Sequence, residues 1–486
     1  MMVLSVVIMP VAAALCVLVF RRRQWTPWAG VASSVYVAAL GLYIAESDLT
    51  GRAPSALSGV LRVDELSAFM IIVIGLVATL ASMSSVRYLR ETSASLEGGS
   101  SHAVQYQVLV QVFVATMLVA VCAANIGVLW VSIEATTVAT TFLVGHRRTR
   151  HALEASWKYI VICSVGIALA FLGTVLVYLA SVHAGASSGN GLEWTWLMGH
   201  AHQLDPSVMR LAIGLLILGY GAKAGLVPMH SWLPDAHSQA PAPVSALMSG
   251  VLLSVAFYAL LRFKAVAVLS IGPSYPRALF VIVALVSLGF ASLMLIHQKD
   301  LKRALAYSST EHMALMALGA AAGGPLAVMG VLLHVLGHAL AKGVLFLVAG
   351  EMVLVDGSST FVGSQGLLAR RPTLGAMFAG ALVALLGLPP FSLFISELTM
   401  MRGEMSAHLG WAVALSAIAL VIAFAAFANH GRRLLFGDPA ESSAPTRSSL
   451  LALGPLGLAL ALCAVVGVFV WPLGAILSHA ATLVSS

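Results

Sequence analysis

Six titratable side chains lie inside strongly apolar stretches: Glu134, Lys223, His334, His338, Lys342 and Glu397. His334, His338 and Lys342 stand at i, i+4 and i+8 in "HVLGHALAK". On a helix they form one stripe on one face, roughly 12 Å long. Imidazole exchanges protons near neutral pH, and a desolvated lysine can release its proton. A metal centre would need more ligands closing on one point, and a charged lysine donates no lone pair. The stripe reads as a proton relay, with no metal site.

Lys223 lies thirteen residues after Arg210 and seven before His230. On a helix it would sit roughly 20 Å from the first and 10 Å from the second. A charge at mid-bilayer costs about 2.5–3.5 kcal/mol, so such residues face protein or a wet cavity. Pro228 interrupts the helix. At membrane depth a broken backbone is tolerated only where protein or a cavity satisfies it. Glu134, between Asn125 and Arg147, falls at a comparable depth. Paired, Glu134 and Lys223 would each hold the other charged, and moving one would change the other's proton affinity.

Glu397 follows Pro389-Pro390, with Arg402 at the outer end of its span. It reads as the last titratable station before an outer exit; the plainer reading is a solvated glutamate at the interface. Glu311 and His312 lie eight or nine residues into the segment after Asp300, Lys302 and Arg303, which read as a loop anchor; the pair is placed on a path from the inner side. His230, Asp235 and His237 either take up protons from the cytoplasm or only solvate a turn. Lys158, eight residues past Arg150, is either a snorkelling structural lysine or an accessory group.

The elements that must hold these groups follow from composition. Of 486 residues, 60% are hydrophobic and 9% charged, with a mean hydropathy of +0.97. Soluble domains carry about 25% charged residues. Apolar segments recur at 2–20, 28–45, 66–86, 105–122, 125–145, 156–182, 209–229, 242–262, 275–296, 304–320, 325–354, 373–399, 408–429 and 450–475. The expected fold is an all-α polytopic membrane protein of about fourteen transmembrane helices. Arg21-Arg22-Arg23 follow the first apolar run instead of preceding it, so that run reads as a transmembrane helix and not a signal peptide.

With the N-terminus outside, sixteen of the 26 basic residues fall on inner segments and seven on outer ones, Arg262 and Lys264 among the latter. The remaining three are Lys158, Lys223 and Lys342. This bias supports fourteen spans with both ends outside, and it accounts for the net charge of +7 without any nucleic-acid partner. Cys16, Cys122, Cys163 and Cys463 are scattered with no CxxC pair, so iron–sulfur or zinc ligation is not expected. No cofactor is expected in this chain.

The breaks at Pro228 and Pro389-Pro390 lie about five spans apart. Spans four to eight and nine to thirteen each end with a Pro-interrupted helix followed by one more span. Repeats of five would be inverted. The expected division is N-terminal helices over 1–122, the fourth beginning the first repeat; a half-channel over 105–262 and another over 275–430, with broken helices seven and twelve; and helix fourteen over 450–486. The loop near 430–449 reads as a plain inner linker.

The stretches "GAKAGLVPMHSWLPDAHSQAPAPVSAL", "DLKRALAYSS", "HVLGHALAK" and "LPPFSLFISE" resemble the antiporter-like subunits of respiratory complex I, Mrp cation/proton antiporters and membrane-bound hydrogenases. The resemblance covers about residues 60 to 430. "PMHSWLPDAHSQAPAPVSALMSGVLLSVAFYALLRF" and "SSTEHMALMALG" are most similar to the F-type membrane subunit of hydrogenase-4 and formate hydrogenlyase-like complexes. The resemblance implies that Glu134 is the glutamate of the fifth helix and Lys223 the lysine of the broken seventh. It makes His334, His338 and Lys342 the central polar axis, and Glu397 the charged residue of the broken twelfth. Ser249 stands where the family often has lysine or histidine, so the link there would be water-borne. The long lateral helix of the complex I terminal subunit is not expected after span fourteen.

The function implied is proton translocation in a bacterial inner membrane, driven by a redox module with nickel–iron hydrogenase-like and iron–sulfur subunits and further membrane subunits. In that reading protons pass from His230 and His237 to Lys223, then by His334 and His338 to Lys342, and out past Glu397. The alternatives are an Mrp-type exchanger that also carries Na⁺ or K⁺, and the membrane half of an inorganic-carbon uptake pair.

Overall fold

A computed structural model of the chain describes residues 2–21, 23, 25–48, 54–92, 99–438 and 450–485. Arg22, Arg52 and Arg447, which entered the charge bias, lie outside the described residues, as does the 439–449 part of the inner linker.

Two helices, α1 (Met2–Val19) and α2 (Thr26–Asp48), precede a short antiparallel hairpin, β1 (Ser55–Ala56) and β2 (Leu61–Arg62). The helices α3 (Glu65–Thr92), α4 (Gly99–Cys122), α5 (Ile126–Val144) and α6 (Arg150–His183) follow. The outer loop then holds a short α7 (Trp194–Gly199). The first broken span is α8 (Pro206–Ala224) and α9 (Trp232–Gln239). Next, α10 (Ala242–Leu247) and α11 (Leu253–Ile271) join through a π-helical stretch, Met248–Leu252. The second half comprises α12 (Ser274–Ile296), α13 (Leu301–Ala322), α14 (Gly324–Asp356), α15 (Leu367–Arg370), α16 (Pro372–Leu385), α17 (Ser392–Ser406) and α18 (Gly410–Phe436). The last helices are α19 (Leu450–Val468) and α20 (Trp471–Thr482).

The chain is a multi-span membrane protein. Eleven helices are long and apolar enough to cross a bilayer, and the bent pair α19–α20 makes twelve if counted as one span. The two other expected segments are present as helices that fall short of that test. One is α13, which carries Lys302, Arg303 and Glu311. The other is split by its proline break into α16 and α17, each too short to span alone.

One expectation is corrected. Arg262 and Lys264 are not loop residues, because α11 runs on to Ile271 and both are buried within it. A buried arginine persists only when paired, and Asp64 supplies that pair.

Local sequence starts these helices where the site needs them. Asp205 caps α8 ahead of Pro206, its Oδ1 accepting from the backbone of Ser207 (2.7 Å) and Val208 (3.3 Å). Asn125 caps α5 likewise, and Thr149 caps α6. Between helices in lipid, hydrophobicity gives little net attraction, so small residues and polar contacts sort them. A side-chain carbon on Gly219 of α8 would lie 2.4 Å from the backbone nitrogen of Ala170. This close approach seats α8 on α6 and brings its C-terminal end to Tyr159. Two spans, Ala242–Ile271 and α14, are buried along their whole apolar stretch and form the centre of the bundle.

Candidate functional site

Lys223 is the penultimate residue of α8, and after Ala224 the cap residue Gly225 turns left-handed at φ +79°. The same Gly-Leu-X-Pro sequence opens both breaks, Gly225-Leu226-Val227-Pro228 and Gly387-Leu388-Pro389-Pro390. Each begins with a glycine at positive φ (+79° and +61°) and ends on a cis proline. The freed backbone of the first break finds protein partners, as membrane depth requires. Val227 N donates to Ser287 Oγ (2.9 Å), and Trp232 Nε1 donates to the Ala222 carbonyl (2.9 Å).

Lys223 is fully buried. Its Nζ donates to Thr137 Oγ1 (2.8 Å) and Tyr159 Oη (2.6 Å) and lies 4.8 Å from the Tyr159 ring centre. Tyr159 also hydrogen-bonds Thr140. The expected direct pair with Glu134 is not formed: the Glu134 carboxylate accepts from Ser164 Oγ (3.0 Å), and its other oxygen is buried with no protein partner among the described residues. Glu134 lies within electrostatic range of Lys223 without touching it. The helical register is the reason. Thr137, not Glu134, faces Lys223 across the α5–α8 contact, while Glu134 stands one turn away on a half-buried face.

Tyr159 packs edge-on to Trp232 (centroids 4.9 Å apart), and Trp232 neighbours His237 (6.2 Å). His237 is fully buried, beside Phe346 of α14. Both ring nitrogens of His237, and both of His338, have no protein partner among the described residues. Lys342 Nζ donates to the Leu305 carbonyl (2.6 Å), within electrostatic range of Glu311 and His338.

Further along α14, His338 lies ring to ring with His312 (5.2 Å). His312 Nδ1 and His334 Nε2 share a hydrogen bond of 3.0 Å, its direction set by the tautomers, and His334 Nδ1 meets Ser396 Oγ at 3.0 Å. Glu397 joins these two histidines: one ligand-type atom from each of the three lies within 4.8 Å of the other two. A side-chain carbon on Gly387 would lie 2.5 Å from Glu397 Oε2, so the second break itself makes room for this carboxylate. Ser308, Glu311, His312 and Glu397 line a cavity of about 190 Å³ together with Leu385, Leu386 and residues of α18.

Glu397 stands with His312 and His334, at the other end of the α14 stripe from Lys342. Glu311 and His312 belong to the centre and not to an inner mouth, because α13 buries both against α14. Ser249, within the π-helical stretch, shares a 2.7 Å hydrogen bond with Ser309 of α13. π-Bulges recur at functional positions, and this one turns a hydroxyl toward the second half.

The remaining residues hold the frame. Asp235 pairs with Lys158 (3.2 Å) and with Arg303, while Lys158 also pairs with Glu154 (2.6 Å). Lys302 donates to the carbonyls of Ala240 (2.6 Å) and Ser238 (3.1 Å), where α9 ends and its carbonyls lack helical partners. His230 packs on Phe290, 4.5 Å between ring centres.

A larger cavity, about 950 Å³, lies away from the axis and is lined in part by Arg62, Glu193 and the Asp64–Arg262 pair. Arg262 Nη2 reaches both Asp64 oxygens at 2.6 Å. Burial raises the Asp64 carboxyl, but the Arg262 charge and hydrogen bonds outweigh it and hold the group below its ordinary value.

Sequence reasoning passed over Thr137, Tyr159, Ser309 and Ser396. They are ordinary hydroxyls in apolar helices, and only the packing shows what they touch. Thr136, Thr137 and Thr140, within two turns of Glu134, were the available signal.

A family model described as NADH:quinone oxidoreductase/Mrp antiporter, TM, matches residues 123–423. A hydrogenase-4 component F homolog from Methylacidiphilum infernorum is 37% identical over 80% of this chain and 82% of its own length. Hydrogenase-4 component B of Escherichia coli is 32% identical over 69% of this chain and 50% of its length. Among solved structures, a chain of an archaeal membrane-bound sulfane sulfur reductase, described as a respiratory membrane complex, superposes with a TM-score of 0.87 at 24% identity. That match covers all of this chain and 98% of the other.

Proposed function

The chain belongs to the NADH:quinone oxidoreductase/Mrp antiporter transmembrane family, and on that premise we propose that it is the proton-translocating membrane subunit of a redox-driven complex of the hydrogenase-4 or complex I type. The observation that carries this reading is Lys223. It is a fully buried ammonium in an apolar helix, bonded to two hydroxyls and in no ion pair with a carboxylate among the described residues. A purely structural charge at that depth would be expected to have a contacting counter-ion. Held by neutral donors and acceptors, this one can be loaded and unloaded while Glu134 sets its balance from a distance.

Protons load Lys223 from the cytoplasmic side. They pass the Tyr159 and Thr137 hydroxyls to His237 and the Lys342 region, then His338, His312 and His334, and leave past Glu397. Water completes the gaps, since buried ring nitrogens without protein partners, as at His237 and His338, are met by water. Ser249 and Ser309 form a neutral crossing that orients water without storing charge. The 105–262 and 275–430 segments act as two half-channels, each ending at a Gly-Leu-X-Pro break.

The electrons are handled by partner subunits. Cys16, Cys122, Cys163 and Cys463 are all free thiols. In this reading the chain sits in a bacterial inner membrane, N-terminus outside, beside other membrane subunits and a peripheral nickel–iron hydrogenase-like, iron–sulfur module; the support is its likeness to a hydrogenase-4 component F homolog.

The test is affinity capture of the tagged chain in mild detergent, with mass spectrometry and metal analysis, alongside proton uptake in vesicles by wild type and Lys223→Ala. Nickel, iron and their subunits with a pumping-dead but assembled variant support the reading. Unchanged pumping by Lys223→Ala overturns it. Antiporter-like chains without redox metals would shift the reading to Na⁺ or K⁺ exchange, and a large zinc protein would shift it to inorganic-carbon uptake.

A further inference from the structure

His312, His334 and Glu397 come from three helices, α13, α14 and α17, and converge on one point. Two imidazoles and a carboxylate with a free position is the donor set of an open zinc site. The nitrogens His312 Nδ1 and His334 Nε2 are 3.0 Å apart. Ligand atoms at about 2.0–2.2 Å from a tetrahedral ion lie about 3.3 Å from one another. The imidazoles need only a small spread, and the carboxylate closes in from within 4.8 Å.

Two further observations point to a cation. The outer nitrogen of His334 is held by Ser396 Oγ at 3.0 Å, the kind of contact that fixes ring orientation in metal-binding histidines. Glu311 and Glu397 also face one cavity of about 190 Å³, and neither is in an ion pair among the described residues. Glu311 is buried and Glu397 half-buried; two carboxylates facing one cavity repel each other, and a dication between them relieves both. At about 30 Å³ per water, the cavity admits an ion with part of its hydration shell.

We propose that His312, His334 and Glu397 form a binding site for a divalent transition-metal ion of the Zn²⁺ class, with Glu311 or water in the fourth position. A bound ion occupies the atoms that join the central axis to Glu397, so it blocks translocation. That consequence rests on the proton-path reading; the binding itself does not.

The experiment uses full-length chain in detergent, freed of tag histidines and stripped with chelator. Zn²⁺ binding is followed by calorimetry, and Co²⁺ absorption is the spectroscopic probe. The expected result is one Zn²⁺ per chain and a tetrahedral-type Co²⁺ spectrum. Affinity should fall about 10–100-fold in Ser396→Ala and at least as far in His312→Gln and Glu397→Gln. The loop variant His200→Ala/His202→Ala should keep wild-type affinity. No binding by wild type, or wild-type affinity in His312→Gln and Glu397→Gln, overturns the site. Because Ser396→Ala removes only a hydroxyl, it reports even if a ligand variant misfolds, and unchanged affinity there overturns the site as well. In vesicles, Zn²⁺ should stop proton uptake by wild type. Continued uptake at saturating Zn²⁺ would leave the metal site standing and sink the proton path through these residues.

Discussion

The Lys223 ammonium donates to the phenolic oxygen of Tyr159 at 2.6 Å, and this contact stands where an ion pair with Glu134 was expected. Tyr159 is thus the direct partner of the charge and Glu134 the remote one. A hydrogen bond to a charged group is worth about 1.5–3 kcal/mol. Tyr159→Phe should therefore slow proton translocation about tenfold or more with assembly intact. Lys223→Ala should abolish it. Proton uptake per electron in inverted vesicles measures both.

Ser249 and Ser309 share one hydrogen bond across the two halves. Ser249→Ala and Ser309→Ala should each lower translocation by a similar, modest factor. The double variant should be no worse than either single one, because groups in contact are not additive. Strictly multiplicative losses would show that the two hydroxyls act independently.

Gly387 combines φ +61° with a position 2.5 Å from Glu397 Oε2. Gly387→Ala adds backbone strain of about 1–3 kcal/mol and pushes the carboxylate from its seat. The variant should melt lower and translocate poorly. Gly214→Ala, where nothing lies within 4 Å of the added carbon, should do neither.

The Asp64–Arg262 pair ties the start of α3 to α11. Asp64→Asn leaves a buried guanidinium uncompensated and should cost on the order of 3 kcal/mol, read as a lower melting temperature in detergent. Because the folded carboxyl is held below its ordinary value, its contribution is fully present above about pH 4. It is lost as pH falls further, through the folded value. The melting difference between wild type and Asp64→Asn should shrink in that acid range.

Asp235 bridges Lys158 and Arg303 near the surface. Exposed pairs contribute about 0–1 kcal/mol, so Asp235→Asn should change stability little. If proton uptake falls sharply with stability unchanged, Asp235 belongs to the uptake path and not only to the frame.

Much of this protein was legible in the amino-acid order. Eighteen or more apolar residues in a row have few other fates than crossing a bilayer, which set the all-α, multi-span architecture. Charges inside such rows are costly enough to mark a site, which singled out Lys223, Glu134, Glu397 and the His334–His338–Lys342 stripe. Proline at membrane depth marked both broken helices. Contact was not legible, because helical spacing orders groups along one helix and is silent about which neighbour faces them. Packing decided that Lys223 meets Tyr159 and Thr137 and not Glu134. It extended α11 over Arg262 and gave Ser249 a hydroxyl partner on α13. It also gathered His312, His334 and Glu397, residues up to 85 positions apart, around one point. Three-body convergence of this kind depends on how three separate helices are tilted and seated, and that is fixed only when the whole bundle closes.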